Sequence, residues 1–146
     1  MASAQRTITI HRPVADVFAY IANGENARRY RSAVLDVAHV SGEGVGAVFK
    51  QGVKGPGGRR IAADYEVTAY EPSRRLAFKA IAGPVRPTGE WRLAEVADGT
   101  ELTFSLNAEI GGIAKLVMGG AVQRTMDAEM GALDALKQIL ESAPPG

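Results

Sequence analysis

The sequence predicts an α+β domain in which a curved antiparallel sheet of seven strands wraps around one long C-terminal helix. A strand pattern followed by two short helical patterns opens the chain. From Ala33 to Ile110 apolar residues then recur at every second position, broken only by turn-forming clusters, and after Gly111-Gly112 the apolar spacing becomes helical. Strands that follow one another without an intervening helix pair as antiparallel neighbours, and their apolar face needs a helix to cover it.

The first elements are short. Thr7 to His11 is a predicted strand because isoleucines alternate with threonines there. Pro13 suits the first turn of the helix that follows, and Asn23-Gly24 ends that helix. A second short helical piece is predicted from Glu25 to Tyr30. Both helices therefore lie between the first strand and the rest of the sheet.

The remaining elements make one continuous domain over residues 1–146, without a repeat or a linker. Six strands are predicted at residues 33–40, 46–53, 60–70, 75–82, 89–96 and 101–110. The final helix ends near Glu141, and residues 142–146 form a frayed tail. Its apolar stripe consists of Ile113, Leu116, Val117, Met126, Met130, Leu133, Leu136 and Leu140.

Composition narrows the class of protein. Lysine plus arginine number 17 against 16 aspartate plus glutamate, so no field of one sign attracts nucleic acid. The arginine clusters at residues 28–31, 59–60 and 74–75 fall near turns and are expected on the solvated surface. With neither an apolar signal core nor a bilayer-length apolar segment, we expect a cytoplasmic monomer or homodimer without an integral membrane segment.

No metal or other cofactor is expected. The chain has no cysteine, which excludes disulfides and thiolate metal sites. His11 and His39 are its only histidines, and neither has a second potential ligand at a spacing typical of metal sites. His39 shares strand parity with Leu35 and Val37, so we expect its ring in the interior, as a core histidine.

The glycine-rich segment Ser41–Lys50, SGEGVGAVFK, raises the question of a phosphate-binding loop. Such loops present backbone N–H groups to the anion in front of the N-terminus of a helix. Here a predicted strand follows the glycines instead. We therefore expect this segment to be a turn between two strands.

Strand alternation identifies side chains that face the interior and suggests an apolar site with a few polar anchors. The methionines of the final helix belong to the core by default, although flexible methionines also suit a wall that adapts to different ligands. From these patterns the ligand-binding candidates are Phe49, Gln51, Tyr65, Phe78, Trp91, Phe104, Met118, Met126 and Met130. No serine lies in a nucleophile-elbow context. For acid or base catalysis, Tyr65 and His39 are the only candidates, and strand parity is the evidence for them.

Several segments resemble the polyketide cyclase/dehydrase branch of the START-like (SRPBCC) superfamily over nearly the whole chain. They are ITIHRPVADVFAYIANGENARRY, GEGVGAVF, YEVTAYEPSRRLAF, DGTELTFSL and the final helix. The resemblance implies a helix-grip fold with a deep apolar cavity between the sheet and the helix. Many members have tryptophan at the end of the second helix, where this chain has Tyr30, so Tyr30 joins the ligand-binding candidates as a polar group at the cavity mouth.

Three function hypotheses follow. The first is binding of a hydrophobic or amphipathic small molecule, lipid- or polyketide-like, in a cavity of at least roughly 300 Å³. The second is an enzyme of the polyketide cyclase or dehydratase type, acting through Tyr65 or His39. The third is an accessory subunit that binds a partner protein through an exposed apolar edge at Gly111 to Gly120.

Overall fold

The computed structural model describes residues 2–83, 85–108 and 123–142. Its strands are β1 (Ala2–Ile10), β2 (Val34–Ser41), β3 (Val48–Lys54), β4 (Arg60–Ala62), β5 (Tyr65–Glu71), β6 (Arg75–Ala80), β7 (Thr88–Val96) and β8 (Gly99–Ala108). The helices are α1 (Val14–Ala22), α2 (Ala27–Tyr30), α3 (residues 123–130) and α4 (Ala132–Ser142), with 3₁₀ turns at Gly24–Asn26 and Pro56–Gly58.

All strands belong to one antiparallel sheet with the order β1-β8-β7-β6-β5-β3-β2, and β4 pairs with β3 beside this path. Strands that are adjacent in sequence are mostly adjacent in the sheet, as short turns require. There are two exceptions: β1 pairs with the last strand, β8, and β4 and β5 both pair with β3 rather than with each other. The predicted α+β fold, with a curved antiparallel sheet and a long C-terminal helical segment, is confirmed.

The first strand is longer than its sequence pattern suggests. β1 begins at Ala2 rather than Thr7, because Ala2 pairs with Ala108 and the ladder continues without a shift to Ile10 opposite Thr100. Residues 2–6 have little intrinsic preference for a strand. Pairing with β8 therefore decides their conformation.

The predicted strand at residues 60–70 is two strands. Ala63 and Asp64 separate β4 from β5, and both of these strands pair with β3. The backbone N–H of Gln51 donates to the Asp64 carboxylate at 3.1 Å, whereas a regular ladder would offer it a backbone carbonyl. The strand predicted at residues 60–70 is therefore divided into β4 and β5, and β4 is an eighth strand beside the seven-strand path of the sheet.

The C-terminal helical segment turns at Gly131, between α3 and α4. The Gly131 N–H donates to the Ala128 carbonyl at 3.0 Å, three residues back instead of four. The described part of the predicted apolar stripe is buried, with at most 7% of any of these residues exposed, namely Met126, Met130, Leu133, Leu136 and Leu140. The earlier part of the stripe and residues 143–146 of the predicted tail lie outside the described residues. None of the described helices is long and apolar enough to cross a membrane.

Polar contacts hold α4 against β1 at the edge of the sheet. Arg6 on β1 and Asp134 on α4 form an ion pair at 2.6 Å. One turn further, the Lys137 ammonium donates to the Thr9 carbonyl at 2.6 Å. These contacts lie beside the buried leucines of α4 and fix which face of the helix is turned toward the sheet.

The glycine-rich segment is a turn, as predicted. It joins the antiparallel strands β2 and β3, and its three glycines, Gly42, Gly44 and Gly46, all have positive φ angles of 74°, 62° and 92°. L-residues rarely adopt such angles, so the glycines serve the backbone conformation. A strand follows, so no helix N-terminus stands behind these N–H groups.

Two threonines on β8 distinguish a buried hydrogen bond from an exposed one. Thr100 is fully buried and its hydroxyl donates to the Arg12 carbonyl at 2.8 Å, whereas Thr103 shares an exposed 2.8 Å hydrogen bond with Thr7. We expect Thr100→Val to lower the free energy of unfolding by about 1 kcal/mol, because it removes the hydrogen bond of a fully buried threonine. Thr103→Val should change it by less than about 0.5 kcal/mol. Urea denaturation would measure both, and equal losses would contradict this assignment.

Candidate functional site

A small internal cavity lies between the concave face of the sheet and the segment that carries α1 and α2. Its volume is about 30 Å³. Five strands and both helices contribute to its wall, which consists of Ile21, Ala22, Gly24, Ala27, Tyr30, Arg31, Phe49, Tyr65, Val67, Leu76, Phe78, Trp91 and Phe104. All but a few of these side chains are apolar.

The cavity is much smaller than the sequence and the resemblance suggest. A volume of about 30 Å³ has room for roughly one water molecule, whereas organic ligands occupy pockets of at least about 300 Å³. Among the described residues the expectation of an open, deep cavity is therefore wrong. Aromatic side chains fill most of the space.

One row of rings crosses the sheet from its edge inward. His39 stacks on Phe49 with ring centroids 4.9 Å apart, Phe49 stacks on Tyr65 at 5.0 Å, and Tyr65 contacts Phe78 at 5.4 Å. We call these four residues the edge row. The ladder produces most of it, because His39 is paired with Phe49 and Phe49 with Tyr65 across adjacent strands.

A second row lies toward the centre of the sheet. Trp91 stacks on its ladder partner Phe104 with centroids 4.0 Å apart, and Tyr30 of α2 meets the Trp91 ring edge-on at 6.3 Å. We call Tyr30, Trp91 and Phe104 the central row. All three residues are at most 6% exposed. The cavity lies between the two rows.

The turn between α1 and α2 closes the cavity over the edge row. A Cβ atom at Gly24 would overlap the Tyr65 hydroxyl and approach the Phe49 ring to 2.8 Å. Only glycine lets the backbone pass this close to the two rings. Anything larger than a water molecule therefore requires the turn, or the rings beneath it, to move.

Arg31 forms the polar end of the cavity. Its place in the arginine cluster at residues 28–31 predicted a position on the solvated surface. Arg28 and Arg29 are exposed as expected, but only 16% of the Arg31 side chain is exposed. Its Nε donates to Glu129 of α3 at 2.7 Å, and its Nη1 donates to the Gln51 side-chain oxygen at 3.4 Å. The expectation of a fully solvated cluster is wrong for Arg31. Its hydrogen bonds to Glu129 and Gln51 compensate the guanidinium for the loss of water on burial.

The protonation states at this end follow from burial and from Arg31. Burial raises the pKa of the Tyr65 phenol to about 12, and the charge of Arg31 opposes part of that shift. Burial also raises the pKa of Tyr30, again against Arg31. Burial would lower the pKa of Arg31, but the charge of Glu129 and the hydrogen bond to it reverse the direction. At neutral pH the site therefore holds two neutral phenols and a guanidinium cation.

The cavity brings together six of the predicted ligand-binding residues, Tyr30, Phe49, Tyr65, Phe78, Trp91 and Phe104. Gln51, Met126 and Met130 are buried but do not line it, and Met118 lies outside the described residues, as does the predicted partner-binding edge. Their role in binding stays a prediction. The described residues contain no group of three or more potential metal ligands.

His39 lies on the predicted face but not in the interior. It is opposite Phe49 in the ladder, so its parity is as expected. However, β2 is the edge strand, and the ring is exposed, with its Nε2 2.6 Å from the Gly42 carbonyl. The expectation of a core histidine is corrected for that reason, and only Tyr65 of the two catalytic candidates reaches the cavity.

Comparison with known proteins agrees with this architecture. Residues 1–141 match the family described as polyketide cyclase/dehydrase and lipid transport. The chain belongs to this family. A search of curated proteins finds no significant match.

Several solved structures share the fold of this chain at low sequence identity. The protein TTHA0849 from Thermus thermophilus is 20% identical with a TM-score of 0.78, covering 97% of this chain and 99% of that one. The Zhui aromatase/cyclase from Streptomyces sp. R1128 is 17% identical with a TM-score of 0.75, covering 95% and 93%. A START superfamily protein from Mycobacterium smegmatis is 12% identical with a TM-score of 0.78, covering 97% and 98%. Identities this low show a common fold only.

The raised pKa of Tyr65 predicts a loss of stability at alkaline pH. The folded state holds this proton up to about pH 12, whereas an unperturbed phenol releases it near pH 10.0. The stabilisation is thus complete below pH 10 and is lost as the pH rises toward 12. We expect Tyr65→Phe to lose less unfolding free energy over this interval than the unmodified protein. Denaturation at a series of pH values measures the free energy of unfolding of both proteins. Tyr70→Phe is the control, because Tyr70 is 39% exposed.

Proposed function

We propose that this protein binds an amphipathic small molecule between the edge row and the central row, and that rings of the edge row move aside to admit it. One observation carries the proposal. The cavity is lined on nearly every side by apolar and aromatic groups but has a guanidinium and two phenols at one end. An apolar pocket with a few convergent polar groups is the usual composition of a small-molecule site.

The family supports a ligand-binding or cyclase role without naming a ligand. Its description joins polyketide cyclases and dehydrases with lipid transport. Both activities require a fold that encloses a largely apolar molecule. Because one fold serves several activities, the choice between them depends on the residues of this cavity.

The cost of opening the cavity is small compared with what an apolar ligand contributes. Separating one stacked pair such as Phe49 and Tyr65 costs about 0.5–1.5 kcal/mol beyond the apolar area that it exposes, and a ligand seated against the rings covers that area again. Burying roughly 200 Å² of apolar ligand surface contributes about 5 kcal/mol. Within the described residues the Tyr65 side chain has ring contacts but no hydrogen bond that would oppose its rotation. The balance therefore favours opening when an apolar ligand is present.

A titration with an uncharged apolar probe, N-phenyl-1-naphthylamine, tests this proposal. Trp91 is the only tryptophan and lines the cavity, so its emission reports on the site. We expect saturable quenching of that emission. Phe49→Leu removes part of the edge row and should tighten probe binding roughly fivefold, because it relieves about 1 kcal/mol of crowding.

Phe18→Leu is the matched control. Phe18 is 4% exposed and packs edge-on against Tyr70 at 5.3 Å, outside the cavity wall. Both variants lose a buried ring, but only Phe49→Leu enlarges the site. Equal effects of the two substitutions, or no saturable binding by either Phe49→Leu or the unmodified protein, would overturn the proposal.

A second candidate function is a cyclase or dehydratase reaction, and the observation that favours it is the position of Tyr65. Its phenol lines the cavity and, with a pKa of about 12, stays protonated at neutral pH. It can therefore donate a hydrogen bond or a proton to a substrate oxygen but does not act as a base. Turnover of an aromatic polyketide-like substrate that survives Tyr65→Phe undiminished would reject this role.

A further inference from the structure

Arg31 has more hydrogen-bonding capacity than its protein partners use. Among the described residues its bonds are one from Nε to Glu129 and one from Nη1 to Gln51, so Nη2 donates to none of them. Arg31 also lines the cavity. The unused Nη2 keeps two N–H donors on a permanent cation, and a carboxylate is the acceptor that such a group binds most strongly.

The groups around Arg31 have unused capacity as well. Within the described residues neither the Tyr30 hydroxyl nor the Tyr65 hydroxyl has a hydrogen-bond partner. Tyr30 and Tyr65 line the same cavity. Polar groups at the end of an apolar cavity with donors that the protein leaves unused suit an oxygen of a ligand.

The ion pair with Glu129 does not cancel the positive field on the cavity side. Burial raises the pKa of Tyr65, and the charge of Arg31 opposes that shift, so the cation acts on the phenol that lines the cavity. Burial raises the pKa of Tyr30. The charge of Arg31 opposes this shift more strongly than the charge of Glu129 adds to it. Glu129 is bound at Nε and therefore neutralises mainly the side of the guanidinium that faces α3.

We infer that Arg31, with the phenols of Tyr30 and Tyr65, forms a carboxylate subsite, and that the ligand is an amphipathic carboxylic acid whose apolar part lies between the two aromatic rows. The inference rests on the proposed function and narrows it to one ligand class. Glu129 and Gln51 orient the guanidinium from behind. The phenols donate from the sides, since both are neutral at the pH at which a carboxylic acid is ionised.

Decanoic acid and decanamide, both below their micellar concentrations, test the inference because they share an alkyl chain and differ in the head group. We expect the unmodified protein to bind the acid about tenfold more tightly than the amide, from one charge-assisted pair. Calorimetry and Trp91 emission would measure both affinities. In the double variant Arg31→Gln/Glu129→Gln, which leaves no buried unpaired charge, the preference for the acid over the amide should vanish.

Two further variants keep the result interpretable. Arg6→Gln/Asp134→Asn removes an exposed ion pair that also joins the C-terminal helices to the rest of the fold, and it should keep the full preference. Tyr65→Phe, nearly isosteric, should weaken binding of the acid severalfold more than that of the amide. This second variant tests the subsite even if the Arg31 double variant fails to fold.

The outcomes separate the two proposals. Equal binding of acid and amide by the unmodified protein, or a preference that survives both the Arg31 double variant and Tyr65→Phe, would overturn the carboxylate subsite. Saturable binding of N-phenyl-1-naphthylamine in the same preparations would leave the proposed function standing. If neither the acid, the amide nor that probe binds, the proposed function and this inference are both overturned.

Discussion

The burial of one face of the sheet is the constraint on which the rest of this structure depends. The sheet is antiparallel throughout, so each strand turns alternate side chains toward α1, α2 and the C-terminal helices. Leu102 and Phe104 of β8 and Leu133 and Leu136 of α4 are almost completely buried as a result. Because β8 pairs with both β1 and β7, the same strand also connects the N-terminal edge to the middle of the sheet.

The ion pair of Arg31 and Glu129 has a different role from these apolar contacts. Only 16% and 10% of the two side chains are exposed, so their attraction is largely offset by the cost of removing both charges from water. An apolar pair of similar size would stabilise the fold at least as well. What the ion pair provides instead is a guanidinium held at the end of an otherwise apolar cavity.

The sequence predicted what depends on periodicity and missed what depends on distant partners. Alternation placed Phe49, Tyr65, Trp91 and Phe104 on one face, since side-chain direction in a strand follows directly from residue number. The burial of Arg31 was missed because nothing beside it in sequence resembles its partner Glu129, which is 98 positions away. The available signal was the position of Glu129 on the final helix, three residues after Met126 and next to Met130 of the apolar stripe. The exposure of His39 was missed because strand order, unlike parity, is not encoded locally.

The volume of the cavity also lies beyond sequence reasoning, because it depends on how rings pack rather than on which rings are present. Residues that line a binding site can equally well close it, since protein interiors tend toward close packing when they are empty. The stacking within the two rows stabilises the closed protein, and it would reduce the apparent affinity for any ligand by the free energy of opening. A polar group held rigidly at one end, as Arg31 is by Glu129 and Gln51, needs no such rearrangement. Selectivity for the ligand head group can therefore be built into the closed form, while the apolar wall adapts to the remainder of the ligand.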